Sequence, residues 1–197
     1  MRGRPRTFDR DQAVEQAMLE FWDNGYQRTS VATLTSKFGI KAPSFYAAFG
    51  SKEALFVEAL ELYRSTIGSR TLEALAHSDG RRALAGILRQ SILNATARSS
   101  GCLITLGGEV DPESPLAASA IASLQRSTME AVRQRLQRAL TDGDLQPQAD
   151  LPALAEYLLT VLHGISLRAR LGSSADDLQP VAGIALDALP WREPRMS

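Results

Sequence analysis

The chain has 197 residues, 44% of them apolar and 22% charged, with 22 basic and 22 acidic residues cancelling to a formal net charge of zero. Such an apolar share over this length can bury one large core or two small ones, and it excludes disorder over most of the chain. The longest apolar runs, such as 158–165, are interrupted by Thr160, His163 and Gly164, well short of the roughly 18 to 20 residues of a membrane helix, so no membrane partner is expected.

Almost every segment carries helical periodicity, and neither sustained alternation nor Asn-Gly hairpin turns point to strands. A first helix begins at Asp9 or Arg10, places Ala13, Val14, Ala17, Met18 and Phe21 on one face, and ends at Asn24-Gly25. Ser30 caps a second helix containing Val31, Leu34 and Phe38, which Gly39 stops. Ala42-Pro43 opens a third, proline being tolerated in a first turn. Ser51 caps a longer one that runs through Leu55, Phe56, Ala59, Leu60 and Tyr63 toward Ala76. Beyond Asp79-Gly80 come helical stretches at 84–97, 101–110, 116–140, 150–171 and 176–189, followed by a frayed tail at 190–197. About nine helices and no sheet predict an all-α protein.

Two short helices around a glycine turn, followed at once by a capped helix, form a helix-turn-helix. In that device one helix enters the major groove while another braces it. Leu34, Phe38, Ile40, Phe45 and Phe49 supply the locking apolar faces. Lys41, Ala42, Pro43 and Ser44 occupy the exposed start of the second helix, where base edges come within reach, and Tyr46 follows one turn on with a hydroxyl for phosphate. Ser30 and Ser51 start helices whose free N–H groups favour phosphate, and Lys52 adds a charge beside the second. All three lysines of the chain, Lys37, Lys41 and Lys52, lie in or beside this motif. Ahead of it, Arg4 and Arg6 of the Arg2-Gly3-Arg4-Pro5-Arg6 arm are candidates for a minor groove. The predicted partner is double-stranded DNA, and a local basic patch matters more to it than the whole-chain total.

Thr29-Ser30-Val31, Phe38-Gly39-Ile40, Phe45-Tyr46 and Phe49-Gly50-Ser51-Lys52-Glu53 resemble the TetR/AcrR family of bacterial transcriptional repressors. The resemblance covers about the first third of the chain. It implies a DNA-binding head at 1–50, a linking helix at 51–78, and a helical effector-binding and dimerisation body at 79–197. It also implies that Ser30, Lys41, Ser44, Tyr46 and Lys52 meet phosphate or bases. Family members often have a glycine or threonine near Pro43 and Ser44, so the resemblance implies DNA binding but not which operator sequence is read.

In the body, Tyr157, Leu158, Val161, Leu162 and Ile165 on one helix, and Leu178, Val181 and Leu186 on the next, are candidates for a homodimer interface built as a four-helix bundle. Leu88, Ile92, Cys102, Thr105, Leu106, Leu124 and Met129 are candidate walls of an effector pocket, with simple core as their ordinary reading. The effector is expected to be small or apolar, because charge clusters are missing there. Cys102 is the one cysteine, which excludes an internal disulfide and suits a reducing cytoplasm. It reads either as a small buried hydrophobe, the commoner case, or as a thiol sensor. His77 and His163 stand too far apart for a metal site, and His163 is expected at the interface. Gly107-Gly108 has neither the spacing nor the preceding strand of a phosphate loop, so no cofactor is predicted. A dimeric repressor released from a palindromic operator by a small-molecule effector accounts for most of these features. The alternatives are a thiol-based regulator working through Cys102, a small helical enzyme, for which no catalytic constellation stands out, and a DNA-associated structural protein with no effector, against which the neutral charge argues.

Overall fold

The computed structural model describes residues 8–98, 100–106 and 113–192. Helix starts are set by side chains that take otherwise unpaired N–H groups. Asp9 accepts from Gln12 at 3.1 Å and opens α1 (Arg10–Asn24). Ser30 accepts from Thr33 at 3.0 Å and opens α2 (Val31–Phe38). Lys41 precedes α3 (Ala42–Phe49), with Pro43 in its first turn, and Ser51 caps α4 (Lys52–Tyr63) through Ala54 N–H at 3.0 Å. Gly39, at φ 68°, makes the left-handed step that turns α2 into α3.

The linking helix is not uniform. After α4 come a π-helical turn (Arg64–Gly68), α5 (Ser69–Glu73) and a 3-10 turn (Ala74–Ala76), which together form one rod with a register fault. Ser65 and Thr66 hydroxyls bond back to the Leu62 carbonyl at 3.1 and 2.6 Å, competing with the regular helical ladder. The Asn94 amide takes the Ile67 carbonyl at 3.2 Å. A single α-helix to Ala76, as periodicity predicts, is therefore corrected to a broken rod.

The body consists of α6 (Gly80–Thr96), α7 (Leu103–Leu106), α8 (Pro115–Asp142), α9 (Leu151–Arg170) and α10 (Ala175–Asp187). Counting the linking rod once, that makes nine helical units among the described residues. They contain no strand, only an isolated bridge between Leu145 and Trp191. Of the stretch expected at 101–110, the described part is helical only over α7, and Gly107-Gly108 lies outside the described residues.

Two apolar clusters divide the molecule. One joins α1 to α4 around Phe21, Leu34, Phe45 and Phe56, and draws in Leu103, Ala117 and Ile121 from the body. The other fills the space between α6, α8, α9 and α10 around Leu84, Leu88, Leu136 and Leu158. The head therefore sits on the body through shared core and is not tethered by the rod alone.

Candidate nucleic-acid interface and effector cavity

In the head, burial separates scaffold from reading face. Leu34 and Phe45 are fully buried, and Phe49 packs its ring against Phe45 and Phe38 at 5.4 and 6.0 Å between centroids. Those contacts fix α3 against α2. Lys41, Ala42, Pro43, Ser44 and Ala47 remain exposed on the opposite side, with Tyr46 at 52% exposure. Ser30 is exposed too, although its hydroxyl is engaged as the α2 cap.

The three lysines part company. Lys37 is bound to the buried carboxylate of Glu20 at 2.7 Å. Lys52 donates to the Tyr26 carbonyl at 3.1 Å and lies 4.1 Å from the centre of the Tyr26 ring. Its ammonium thus belongs to the head's own packing as well as standing at the start of α4. Lys41 stays exposed at the tip of α3, and exposed Arg28, which sequence reasoning passed over, stands two residues before the α2 cap. Arg4 and Arg6 lie outside the described residues.

A cavity of about 100 Å³ lies where the rod meets the body. Tyr63, Arg64 and Gly68 bring the π turn into its wall, facing Asn94 of α6, Leu124 of α8 and Ser166 of α9. Cys102, Thr105 and Leu124 line it, whereas Leu88 and Ile92 point into the body core, each 1% exposed, and Met129 packs on that same core. Those three expectations are corrected for a common reason: an apolar helix position cannot announce which of two neighbouring spaces it faces. Leu106 closes α7, but its side chain lies outside the described residues. His163, expected at the interface, lines the cavity, and burial pulls its pKa below the usual imidazole value. Sequence reasoning missed Tyr63, Ser91, Asn94, Gln125 and Ser166. The available signal was a hydroxyl or amide on an otherwise apolar helix face.

Arg64 is the one formally charged side chain among the described lining residues, and it is ion-paired with Glu61. Tyr63 lines the cavity together with Cys102, and burial first, then its interaction with Cys102, raises its pKa far above the ordinary phenol range. The rest of the described wall mixes apolar side chains with hydroxyl and amide groups and His163.

The proposed interface divides as well. Leu158, Leu162, Ile165 and Leu178 are buried in their own protomer, so they have no surface to offer a partner. Val161 and Leu186 are half-buried. Tyr157 and Val181 are exposed, and they join Leu167, Leu171 and Ile184, the last at 71% exposure, on the outer side of α9 and α10. Gly164 and Gly183 have open space where a Cβ would stand, which permits close helix approach.

The profile of bacterial regulatory proteins, tetR family, matches residues 13–59, and that of the tetracyclin repressor-like C-terminal domain matches residues 80–183. The HTH-type transcriptional repressor ComR of Escherichia coli strain K12 is 33% identical over 194 residues, covering 96% of this chain and 92% of that protein. The chain belongs to the TetR family. A second similar protein, the HTH-type transcriptional repressor BdcR of the same strain, is 29% identical over 193 residues, covering 95% of this chain and 92% of its own. Among solved structures, a triple-cysteine mutant of the TetR-family regulator CifR, complexed with 26-bp double-strand operator DNA, has a TM-score of 0.87 and 37% identity. It covers 95% of this chain and 100% of that one. Membership of the TetR family places the protein among transcriptional regulators and not among enzymes.

Proposed function

We propose that this TetR-family protein is a cytoplasmic homodimeric repressor that grips a palindromic operator with α2 and α3 of each protomer and lets go when a small effector enters the cavity. The observation that carries this reading is the linking rod. Its first residues build the head's core, and its π turn forms part of the cavity wall. Residues 1–50 then act as the reading head, 51–78 as the lever and 79–197 as the sensing and pairing body. CifR, the similar structure, is complexed with operator DNA, and the exposed start of α3 supports a groove-facing role for that helix here. An effector releases DNA only if it binds the released arrangement more tightly than the gripping one.

The wall chemistry supports a compact effector of mainly apolar body, neutral or anionic. In the same measure of volume, one water needs roughly 10 to 15 Å³ and a benzene-binding cavity is of order 150 Å³. A molecule of about benzene's size or less is the class to screen. Retention of promoter fragments from the gene's own neighbourhood, measured by fluorescence anisotropy across salt concentrations, tests the DNA reading. Failure to retain any fragment preferentially would falsify it. A thermal-shift screen of small neutral and anionic compounds tests the cavity.

A second reading is favoured by one lining residue. Cys102 lines the cavity together with Tyr63, so an electrophile entering there would find a nucleophile. Cys102→Ser separates the two readings. It abolishes a response by thiol chemistry and leaves release by reversible binding intact.

A further inference from the structure

One peptide unit is pinned from both edges, to the head on one side and to the cavity wall on the other. The carbonyl of Gly101 accepts the indole N–H of Trp22 at 2.7 Å, a buried bond from the end of α1. The N–H of Cys102, the other edge of the same peptide plane, donates to the Ser166 hydroxyl of α9 at 2.6 Å. Ser166 and the Cys102 side chain both line the cavity. A trans peptide is a rigid plate. It cannot tilt at the Ser166 edge and stay aligned at the Trp22 edge.

The plate is braced by charge. Asp23, next to Trp22, takes Arg98 through both carboxylate oxygens, at 3.1 and 2.5 Å, and the Ser100 hydroxyl at 2.8 Å. Trp22 also packs edge-on against Tyr63 at 5.0 Å between centroids, and Tyr63 lines the cavity with Cys102. Gly101 sits at φ 69°, in the left-handed region, which lets the chain turn from Ser100, held by Asp23, into the plate.

We propose that the Gly101–Cys102 peptide plate carries cavity occupancy to the DNA-binding head, with Trp22, Asp23 and Ser166 as the positioning residues of operator release. The proposal rests on the repressor reading above. A ligand that takes the Ser166 hydroxyl, or displaces the Cys102 side chain, tilts the plate and breaks the Trp22 bond. The end of α1 is then free to shift, and α2, which follows it, shifts with it. The rod supplies a lever, and the plate supplies the catch that holds the lever in its gripping position. Couplings of this kind usually change affinity by about 5- to 150-fold.

The test uses full-length protein and methyl methanethiolsulfonate, a probe small enough for the cavity that puts a thiomethyl group on Cys102. Two quantities are read: operator affinity by anisotropy, and Trp22 emission in a Trp191→Phe background. Labelling is expected to weaken operator binding by at least about fivefold and to shift Trp22 emission to the red, with Cys102→Ser immune to both. In Trp22→Phe, which keeps a ring but loses the donor, and separately in Ser166→Ala, the ratio of labelled to unlabelled affinity should fall toward one. The proposal is overturned if either folded variant keeps the full labelling effect, or if labelling leaves Trp22 emission unchanged. Should unlabelled protein hold no operator fragment, the repressor reading fails, and the emission shift still decides whether the plate links cavity to head.

Discussion

The carboxylate of Glu53, in the first turn of α4, accepts the backbone N–H groups of Leu116 and Ala117 at 2.6 and 3.1 Å, and so caps α8 from another helix. α8 needs this help. Pro115 has no N–H to satisfy, and Ser114 makes no cap bond, its hydroxyl pairing with Tyr26 at 3.0 Å instead. A negative group at a helix start is also favoured by the helix dipole. Glu53→Ala should lower unfolding free energy by about 1 to 2 kcal/mol, the ordinary cost of removing a cap. Glu53→Gln, which keeps an acceptor, should cost less. Urea titrations of the two variants check the order, and equal losses would mean that the negative charge, and not the acceptor oxygen, carries the cap.

Roles within the head can be told apart by target. Tyr46→Phe removes one exposed hydroxyl and is expected to weaken binding to operator and non-operator DNA by a similar factor. Changes at Ser44 or Lys41, at the exposed start of α3, should instead alter which sequence is preferred, by about 1 to 3 kcal/mol for each base-edge hydrogen bond removed. Lys52→Ala is the mixed case. It should reduce the salt dependence of binding if the ammonium meets phosphate, and lower stability because the Tyr26 carbonyl and ring lose their cation. Anisotropy with matched and scrambled duplexes separates these effects. An identical specificity ratio for Tyr46→Phe and the Ser44 variants would undo the assignment.

Helix boundaries were legible where a capping side chain or a left-handed glycine marks them. Asp9, Ser30, Gly39, Ser51 and Asp150 all stand where the helices begin or turn, whereas α6 opens at Gly80 behind its Asp79 cap, ahead of the stretch expected from 84. The π turn was not legible, because Ser65 and Thr66 are compatible with an ordinary helix until their hydroxyls choose the Leu62 carbonyl. Interface and core were confused for a geometric reason. α9 carries apolar residues almost all round, and only packing against α6, α8 and α10 decides that Leu158 faces inward while Tyr157 and Leu167 face out. Counting lysines likewise overstated the DNA-facing charge, because Glu20 and Tyr26 claim two of the three.

That outward face predicts how dimerisation can be removed without unfolding the chain. Ile184→Asp puts a charge where the protomer's own core is untouched, the residue being exposed in the single chain. The monomer should therefore melt normally while sedimentation shifts to single chains, and operator affinity should fall steeply because one head reads only half a palindrome. Ile165→Asp, buried at 2%, should instead destabilise the protomer itself. If Ile184→Asp remains dimeric, the interface lies elsewhere.

The Asp23 cluster predicts a pH dependence. Burial pushes the Asp23 pKa up, but hydrogen bonds from Arg98 and Ser100, with the charges of Arg98 and Lys37, outweigh it and leave the value below that of a free aspartate. A carboxylate whose folded pKa is depressed stabilises the fold above its unfolded pKa, near 3.9, and the contribution disappears as pH falls through the lower folded value. Wild type should lose stability more steeply than Asp23→Asn below about pH 4, and the two curves should be parallel from pH 5 to 8. Chemical denaturation at pH 3, 4 and 7 measures the difference. Parallel curves throughout would mean that the Arg98 pair does not persist in solution.

Arg135 is a charge the fold tolerates at a cost. It is buried at 2%, its Nη2 donates to the carbonyls of His77 and Ser78 at 3.2 and 3.1 Å, and its Nε and Nη1 have no partner among the described residues. Desolvation accordingly pulls its pKa below the usual guanidinium value, with the charge of Arg138 acting the same way. Each buried donor left unpaired costs on the order of 1 to 3 kcal/mol. The two carbonyls it serves belong to residues that are themselves exposed, so water can replace the guanidinium there. Arg135→Met, of similar length and without the charge, should therefore leave stability unchanged or raise it, as when other buried ionic groups are exchanged for well-packed apolar ones. Arg135→Ala, which leaves a hole beside Val132, Leu136 and Ala139, should destabilise by contrast. Urea midpoints at pH 7 decide it: a loss above about 1 kcal/mol for the methionine variant would show that the guanidinium holds the turn between the rod and α6 more firmly than its two bonds imply.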